Sequence, residues 1–244
     1  MGNKQAMTRK QNPKLKITVT SLVLISLLLI FCPTSFAAAI GKVTHLSGPM
    51  LAKNIDNKTR ILSVNSGVEQ GDTLITEKRT YARIKFTDNG EVTLRPNTQF
   101  KVSQYAFDQA KPKEDSAVFN LVKGGMRSVT GLIGKRGDQD SYRLATENAI
   151  AGVRGTTYEC KICAGNCGSL PNGLYFFVAA GSIIVSNSGG SQTYSTGQYA
   201  YVASPTSIPT ILPGNPGIDF TLPKVVADTP KDGGGQKDSG CIVR

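Results

Sequence analysis

The stretch YARIKFTDNGEVTLRPNTQFKVSQY, residues 81–105, decides the fold class of this chain. Apolar and polar residues alternate along it, which is the period of a strand with one buried face. Arg83 and Lys85 are expected to point outward, and Asn89-Gly90 has the composition of a tight hairpin turn. The expected inward side chains are Ile84, Phe86, Val92, Leu94, Phe100 and Val102. The stretch therefore predicts antiparallel strands with one apolar face.

Four later segments repeat this pattern at short spacing, without a long helical period. They are AVFNLVKGGMRSV, SYRLATENAIAGVRGTTYEC, LYFFVAAGSIIVSN and SQTYSTGQYAYVAS. The spacing predicts a single all-β domain, a β-sandwich or a β-solenoid, over residues 40–203. Residues 204–244 are rich in Pro and Gly, which disfavour strand pairing and predict a partly disordered tail. Within this tail, PGIDFTLPKVV is expected to supply the one strand that could dock on the domain edge.

The N-terminus has the order of a secretory signal. Basic residues without any acidic residue precede an apolar run from Ile17 through Phe31, and TSFAAA follows it. That run is shorter than the ~20 residues of a membrane-spanning helix. We expect cleavage near Ala39, so that residues 1–39 are a signal peptide. The mature protein is then periplasmic or secreted and has no membrane span. A retained N-terminal anchor is the alternative.

The positive charge of the chain belongs partly to this signal. The formal net charge is +11, and removal of the five basic residues up to Lys16 leaves 23 of the 28 Lys and Arg against 17 Asp and Glu, a net charge of +6. The mature part has no basic run with interleaved aromatic residues, so nucleic acid is not an expected partner. The expected partner is an envelope protein or an envelope polymer.

Several blocks of the chain together resemble one family. They are GKVTHLSGPM, VNSGVEQGDTLITEKRTYARIKFTDNGEVTLRPNTQFKV, NLVKGGMRSVTG, YRLATENAIAGVRGTTYE and VAAGSIIVSNSGGSQTYSTGQYAYV, and they follow the pattern of a FecR-like domain. The step GDTLIT, the turn F-x-D-x-G and the motif A-x-x-x-V-R-G-T at residues 149–156 are its more specific parts. The resemblance implies an extracytoplasmic, all-β, non-enzymatic domain. In the best-understood relatives this domain is the periplasmic half of an iron-uptake signal transducer.

Those relatives also carry a cytoplasmic helical region that controls a sigma factor. Only about 16 residues precede the apolar run here, too few for a folded domain. The chain therefore resembles a stand-alone exported version, for which sigma-factor control is not expected.

Arg154, Gly155 and Thr156 of the V-R-G-T motif are the candidate binding residues. A glycine inside a strand marks a bulge or a close backbone approach. The planar guanidinium of Arg154 suits a carboxylate or a set of backbone carbonyls. Two roles stay open for this motif: a contact to a ligand, or a strand bend that the arginine ties to neighbouring carbonyls.

The cysteines point to structural disulfides. Loss of the signal removes Cys32 and leaves an even number, Cys160, Cys163, Cys167 and Cys241, in an exported chain. One local bridge inside CKICAGNC and one from the remaining loop cysteine to Cys241 would fix the tail to the domain. A metal site and a redox-active C-x-x-C at Cys160 and Cys163 are the alternatives.

No arrangement of residues in the sequence predicts catalysis. His45 is the one histidine and is expected to be structural, and G-x-S-x-G, S-x-x-K and H-E-x-x-H are absent from the sequence. We expect no catalytic residue, no metal ligand and no cofactor. The sequence thus predicts a non-enzymatic module for binding, sensing or scaffolding in the cell envelope. An envelope enzyme or thiol oxidoreductase, and a purely structural envelope component, are the alternatives.

Overall fold

A computed structural model describes residues 38–137, 140–218 and 221–223 of the 244-residue chain. Within these residues there are sixteen strands, one short α-helix and one 3-10 turn at Pro112–Glu114. The strands of the first half are β1 (Gly41–Leu46), β2 (Met50–Lys53), β3 (Thr59–Leu62), β4 (Gly67–Val68), β5 (Thr73–Thr76), β6 (Ala82–Phe86), β7 (Glu91–Leu94) and β8 (Gln99–Ala106). Those of the second half are β9 (Ser116–Lys123), β10 (Gly125–Val129), β11 (Tyr142–Ala145), β12 (Ile150–Cys163), β13 (Gly173–Asn187), β14 (Gly190–Ser195), β15 (Tyr199–Val202) and β16 (Thr210–Leu212). The helix, α1 (Ile133–Arg136), precedes β11.

All sixteen strands belong to one hydrogen-bonded sheet, which confirms the all-β prediction. The order along its main path is β3-β2-β5-β8-β9-β11-β12-β10-β7-β6-β1-β4, and β13 branches from β12 to carry β14, β15 and β16. Every described pair is antiparallel except β9 with β11. The sheet is curled, so one of its faces encloses a single large core.

Aromatic side chains run through this core as a chain of ring contacts. Phe119 lies at its centre, with ring centroids 5.1 to 5.4 Å from those of Phe86, Phe100 and Tyr142. The chain continues through Tyr158 to Phe176, at centroid distances of 6.5 and 6.4 Å. Rings at these separations add attraction beyond the area that they bury.

The hairpin of β6 and β7 confirms the prediction from residues 81–105. All six expected inward side chains are buried. The loop is longer than the Asn-Gly pair alone, since β6 ends at Phe86 and β7 begins at Glu91. Of that pair, only Asn89 has a positive φ, 65°. Arg83 points outward as expected, but its side chain is buried on that face. Its register partners, Thr93 and His45, place it on the outer face of the sheet.

The predicted strand at residues 117–129 divides into β9 and β10. Gly124 separates them with a φ of +88°, and a Cβ there would lie 2.4 Å from Thr98 Oγ1. The chain turns at this glycine from β8 and β11, the neighbours of β9, to β7 and β12, the neighbours of β10. The two strands therefore lie at different places in the sheet, with β11 and β12 between them.

The fold continues beyond the predicted boundary at Ala203. Strand β16 pairs with β15, and Ile218 is buried in a small second cluster on the outer face. The segment PGIDFTLPKVV forms no strand at its described residues, 216–218 and 221–223. Cys241 and most of the predicted tail lie outside the described residues, as does the predicted signal peptide up to residue 37. Among the described residues no helix is long and apolar enough to cross a membrane.

Candidate ligand-binding groove and the family motifs

The V-R-G-T motif lies where β12 changes its neighbour. Residues 150–152 pair with β11, whereas residues 157–161 pair with β10. The register with β13 shifts between Arg154 and Thr157, and Gly155 in this interval has a φ of +60°. Gly181 on β13 has a φ of +84°, and a Cβ there would lie 2.8 Å from the carbonyl oxygen of Gly155. The two glycines thus allow adjacent strands to bend together at a bulge.

Thr156 is buried and stabilises this bend through hydrogen bonds. Its hydroxyl lies 2.6 Å from the carbonyl oxygen of Ser182 and 2.9 Å from that of Arg154, and it accepts a bond of 3.3 Å from the Ser182 amide. The Thr156 amide donates to Thr130 Oγ1 at 2.8 Å, and the Thr130 amide donates to the Thr156 carbonyl at 3.1 Å. These bonds occupy the polar atoms of Thr156, so the structure gives it a structural role.

The aspartate of F-x-D-x-G has a similar role. The carboxylate of Asp88 accepts hydrogen bonds from the Gly90 amide at 2.9 Å, the Tyr105 hydroxyl at 3.0 Å and the Ile133 amide at 3.2 Å. In GDTLIT, the buried carboxylate of Asp72 accepts from Arg60 at 2.8 Å. The more specific residues of the resemblance therefore hold turns and strand ends together.

Arg154 differs from the rest of its motif because it is exposed and lines a groove. The groove has a volume of about 470 Å³, within the range typical of small-ligand sites. It lies on the outer face of β11, β12 and β13. The lining residues are Asp140, Arg143, Ile150, Gly152, Val153, Arg154, Ser182, Ile184 and Ser186. Together these residues form the outer groove.

Strand alternation explains how these residues meet. Arg143, Gly152 and Ile184 are opposite one another across the three strands, and Ile150 is likewise opposite Ser186. Side chains two residues apart on one strand share a face. Gly152 supplies no side chain at the centre of this face, which leaves room between Arg143 and Ile184. The V-R-G-T motif pointed to Arg154 but not to its neighbours in the groove. The even-numbered residues that line the groove on β12 and β13 share this face, so the strand period could have indicated them.

The described residues that line the outer groove carry more positive than negative charge. Arg143 pairs with Asp140 at 3.4 Å, and side-chain exposures of 45% and 77% make this a weak surface pair. Among the described residues, Arg154 has no hydrogen bond or ion pair from its guanidinium. Lys135 of α1 lies nearby, since a Cβ on Gly155 would be 3.9 Å from its Cγ. A ligand with negative charge therefore suits this end of the groove.

One predicted disulfide is present in the loop between β12 and β13. Cys163 and Cys167 are bonded, with Cα atoms 5.5 Å apart, which confirms a local bridge inside CKICAGNC. Cys160 is a correction to the prediction, because its thiol is free and fully buried in the main core. Burial also raises the pKa of this thiol well above its usual range.

The same geometry argues against a redox-active pair at Cys160 and Cys163. They are three positions apart on one strand, an odd number, so their side chains lie on opposite faces of the sheet. Cys160 faces the main core, whereas Cys163 packs with Tyr175 and Ile218 in the second cluster. A thiolate is the reactive form of cysteine, and burial disfavours it at Cys160. Within the described part of the chain, no three metal-ligating side chains come together.

A buried charge cluster on the outer face was not predicted. Glu159 of β12 accepts hydrogen bonds from Arg127 at 2.9 Å and from Arg95 at 3.1 Å. Burial raises the pKa of Glu159, and the charges of the two arginines offset only part of this effect. Arg95 also donates to the carbonyl of Thr221 at 3.4 Å, which links the cluster to the C-terminal segment.

The comparisons with known proteins agree with the resemblance in sequence. Residues 72–168, from the GDTLIT step to the disulfide loop, match the family model described as FecR protein. The chain therefore contains a FecR-like domain. None of the curated proteins matches the chain.

Solved structures show only a partial likeness. Two crystal structures of a candidate anti-sigma factor from Parabacteroides distasonis ATCC 8503 align with 57% of this chain, at 11% and 12% identity and a TM-score of 0.44. The alignment covers 58% of their chains. A structure described as a cell surface anchoring domain covers 26% of this chain and 83% of its own, at 25% identity and a TM-score of 0.25.

Proposed function

We propose that this protein is an exported, non-catalytic FecR-like module that binds or senses a component of the cell envelope. The observation that carries the proposal is the outer groove, an exposed and positively charged concavity. Its residues up to Arg154 lie in the segment that the FecR family model matches, and those on β13 follow that segment. The buried family residues build the bend of β12 that presents Arg154 at this groove.

The disulfide supports an exported location. Bridges such as Cys163–Cys167 persist in oxidising compartments and are rare in the cytosol. The signal-like N-terminus points to the same compartment. The proposed location is the periplasm or the cell exterior, after cleavage near Ala39.

Cell fractionation and co-sedimentation test the proposal together. The protein isolated from its host is expected to start close to residue 40 by intact mass and to appear in the periplasmic or secreted fraction. The purified protein is then mixed with isolated peptidoglycan, and separately with outer-membrane vesicles, and is expected to sediment with at least one of them. An uncleaved cytosolic protein would contradict the location. Turnover of an envelope substrate that a single substitution abolishes would contradict the non-catalytic role.

A further inference from the structure

We propose that the outer groove binds the terminal carboxylate of a short peptide whose last side chains are small and aliphatic. This inference rests on the proposed binding function and names the ligand chemistry of the same groove. It follows from the pairing of two guanidinium groups with two exposed isoleucines on one face of the sheet.

The cationic half of the groove is arranged for a carboxylate. Arg154 lies two positions beyond Gly152, the residue opposite Arg143, so the two arginines are diagonal neighbours. Such neighbours lie about 7–8 Å apart in a sheet, close enough for both to reach one anionic group. An arginine fork donates two parallel hydrogen bonds to a carboxylate. Asp140 engages only Arg143, and its exposed pair is easily replaced by a ligand.

The apolar half of the groove selects the body of the ligand. Ile150 and Ile184 are 47% and 45% exposed. Ile184 lies directly opposite Gly152 on β13, and Ile150 lies two residues before Gly152 on β12. Aliphatic side chains next to Gly152 would cover both isoleucines and remove apolar surface from water. The lining residues that the structure describes include no aromatic ring, which is the usual platform for a sugar. Ser182 and Ser186 also line the groove, and their hydroxyls can form hydrogen bonds with the backbone of a peptide.

The test is a titration of the purified protein with acetyl-Ala-Ala-Val that carries a free carboxylate, followed by calorimetry or amide chemical shifts. The same peptide with a C-terminal amide is the matched ligand. We expect the amide to bind at least about tenfold more weakly, because hydrogen bonds to a charged group are the stronger ones. Binding of the free acid is expected to weaken as salt is added.

Three variants locate the site. Arg154→Gln and Arg143→Gln are each expected to weaken binding about tenfold. Ile184→Asp places a negative charge next to the ligand and is expected to weaken it further. Arg79→Gln is the control, since Arg79 is exposed, loses the same charge and does not line the groove. Thermal unfolding of each variant shows whether its fold is kept.

Four results would overturn the inference. They are equal binding of acid and amide, equal loss from Arg79→Gln and Arg154→Gln, no binding of the free acid, and binding of polygalacturonate in its place with the same dependence on Arg154. In the last case the groove is a glycan site and the proposed binding function stands. If the peptide fails and the protein also fails to sediment with every envelope fraction, the proposed function fails as well.

Discussion

Thr156→Val separates a structural role for the V-R-G-T motif from a direct ligand contact. Valine keeps the shape of threonine but removes the hydroxyl. That hydroxyl is buried, donates to the Ser182 carbonyl at 2.6 Å or the Arg154 carbonyl at 2.9 Å, and accepts from the Ser182 amide at 3.3 Å. The substitution leaves a donor and an acceptor without partners at the bend of β12.

The expected cost follows from these two groups. Each buried polar group that loses its partner costs about 1–3 kcal/mol. Because both bonds are only partly buried, the free energy of unfolding should fall by an amount in the lower part of the summed range for the two groups, about 2–4 kcal/mol. For a domain of this size that corresponds to a decrease in Tm on the order of 10 °C. Thr156→Ser keeps the hydroxyl and is expected to lose less than half as much.

Urea unfolding followed by circular dichroism measures this difference. Thr193→Val on β14 is the matched control, because Thr193 is an exposed strand threonine, and its unfolding free energy should change by less than about 0.5 kcal/mol. The reasoning is refuted if Thr156→Val unfolds like the wild type but loses binding to the envelope fraction. That result would make Thr156 a ligand contact rather than a support for Arg154.

Three further predictions concern the loop, the turn and the buried charge. Cys167→Ser should lower the free energy of unfolding by about 2 kcal/mol in the chain-entropy model. Cys160→Ala is the control, and peptide mapping should find its Cys163–Cys167 bridge intact. Equal stability of Cys167→Ser and the wild type would contradict this prediction. Asp88→Ala should cost about 4 kcal/mol in urea unfolding, because three buried donors lose one acceptor; a cost below about 1 kcal/mol would rule out the hydrogen-bonded turn as a support. Burial raises the folded-state pKa of Glu159, so its contribution to stability is present below the unfolded pKa and is lost as pH rises through the folded one. Glu159→Gln should remove this pH-dependent contribution. The unfolding free energies of the wild type and the variant, measured across a pH series, should therefore differ by an amount that changes with pH. A difference that stays constant with pH would show that Glu159 makes no such contribution.

The buried residues of the family motifs and the candidate ligand site have different roles. Asp88 and Thr156 are buried and fully engaged in hydrogen bonds, so they preserve the fold. Arg154, between the buried Val153 and Gly155, is turned to solvent at the outer groove. A chain can therefore keep the FecR pattern for reasons of folding, and under the proposed function the residues around Arg154 are the ones that contact a ligand.

The sequence by itself determined the all-β class, the inward residues of the first hairpin and the local disulfide. Each of these depends on residues close together in the chain: a period of two along a strand, a turn of Asn and Gly, and two cysteines four residues apart. Tertiary structure alone decided the burial of Arg83, the free state of Cys160, the extension of the fold to Ile218 and the composition of the outer groove. Those properties depend on which strands become neighbours, and a curled sheet brings together residues such as Arg143 and Ile184 that are far apart in the chain. Local patterns carry no information about that pairing, because the register across β11, β12 and β13 is set by the packing of the whole core.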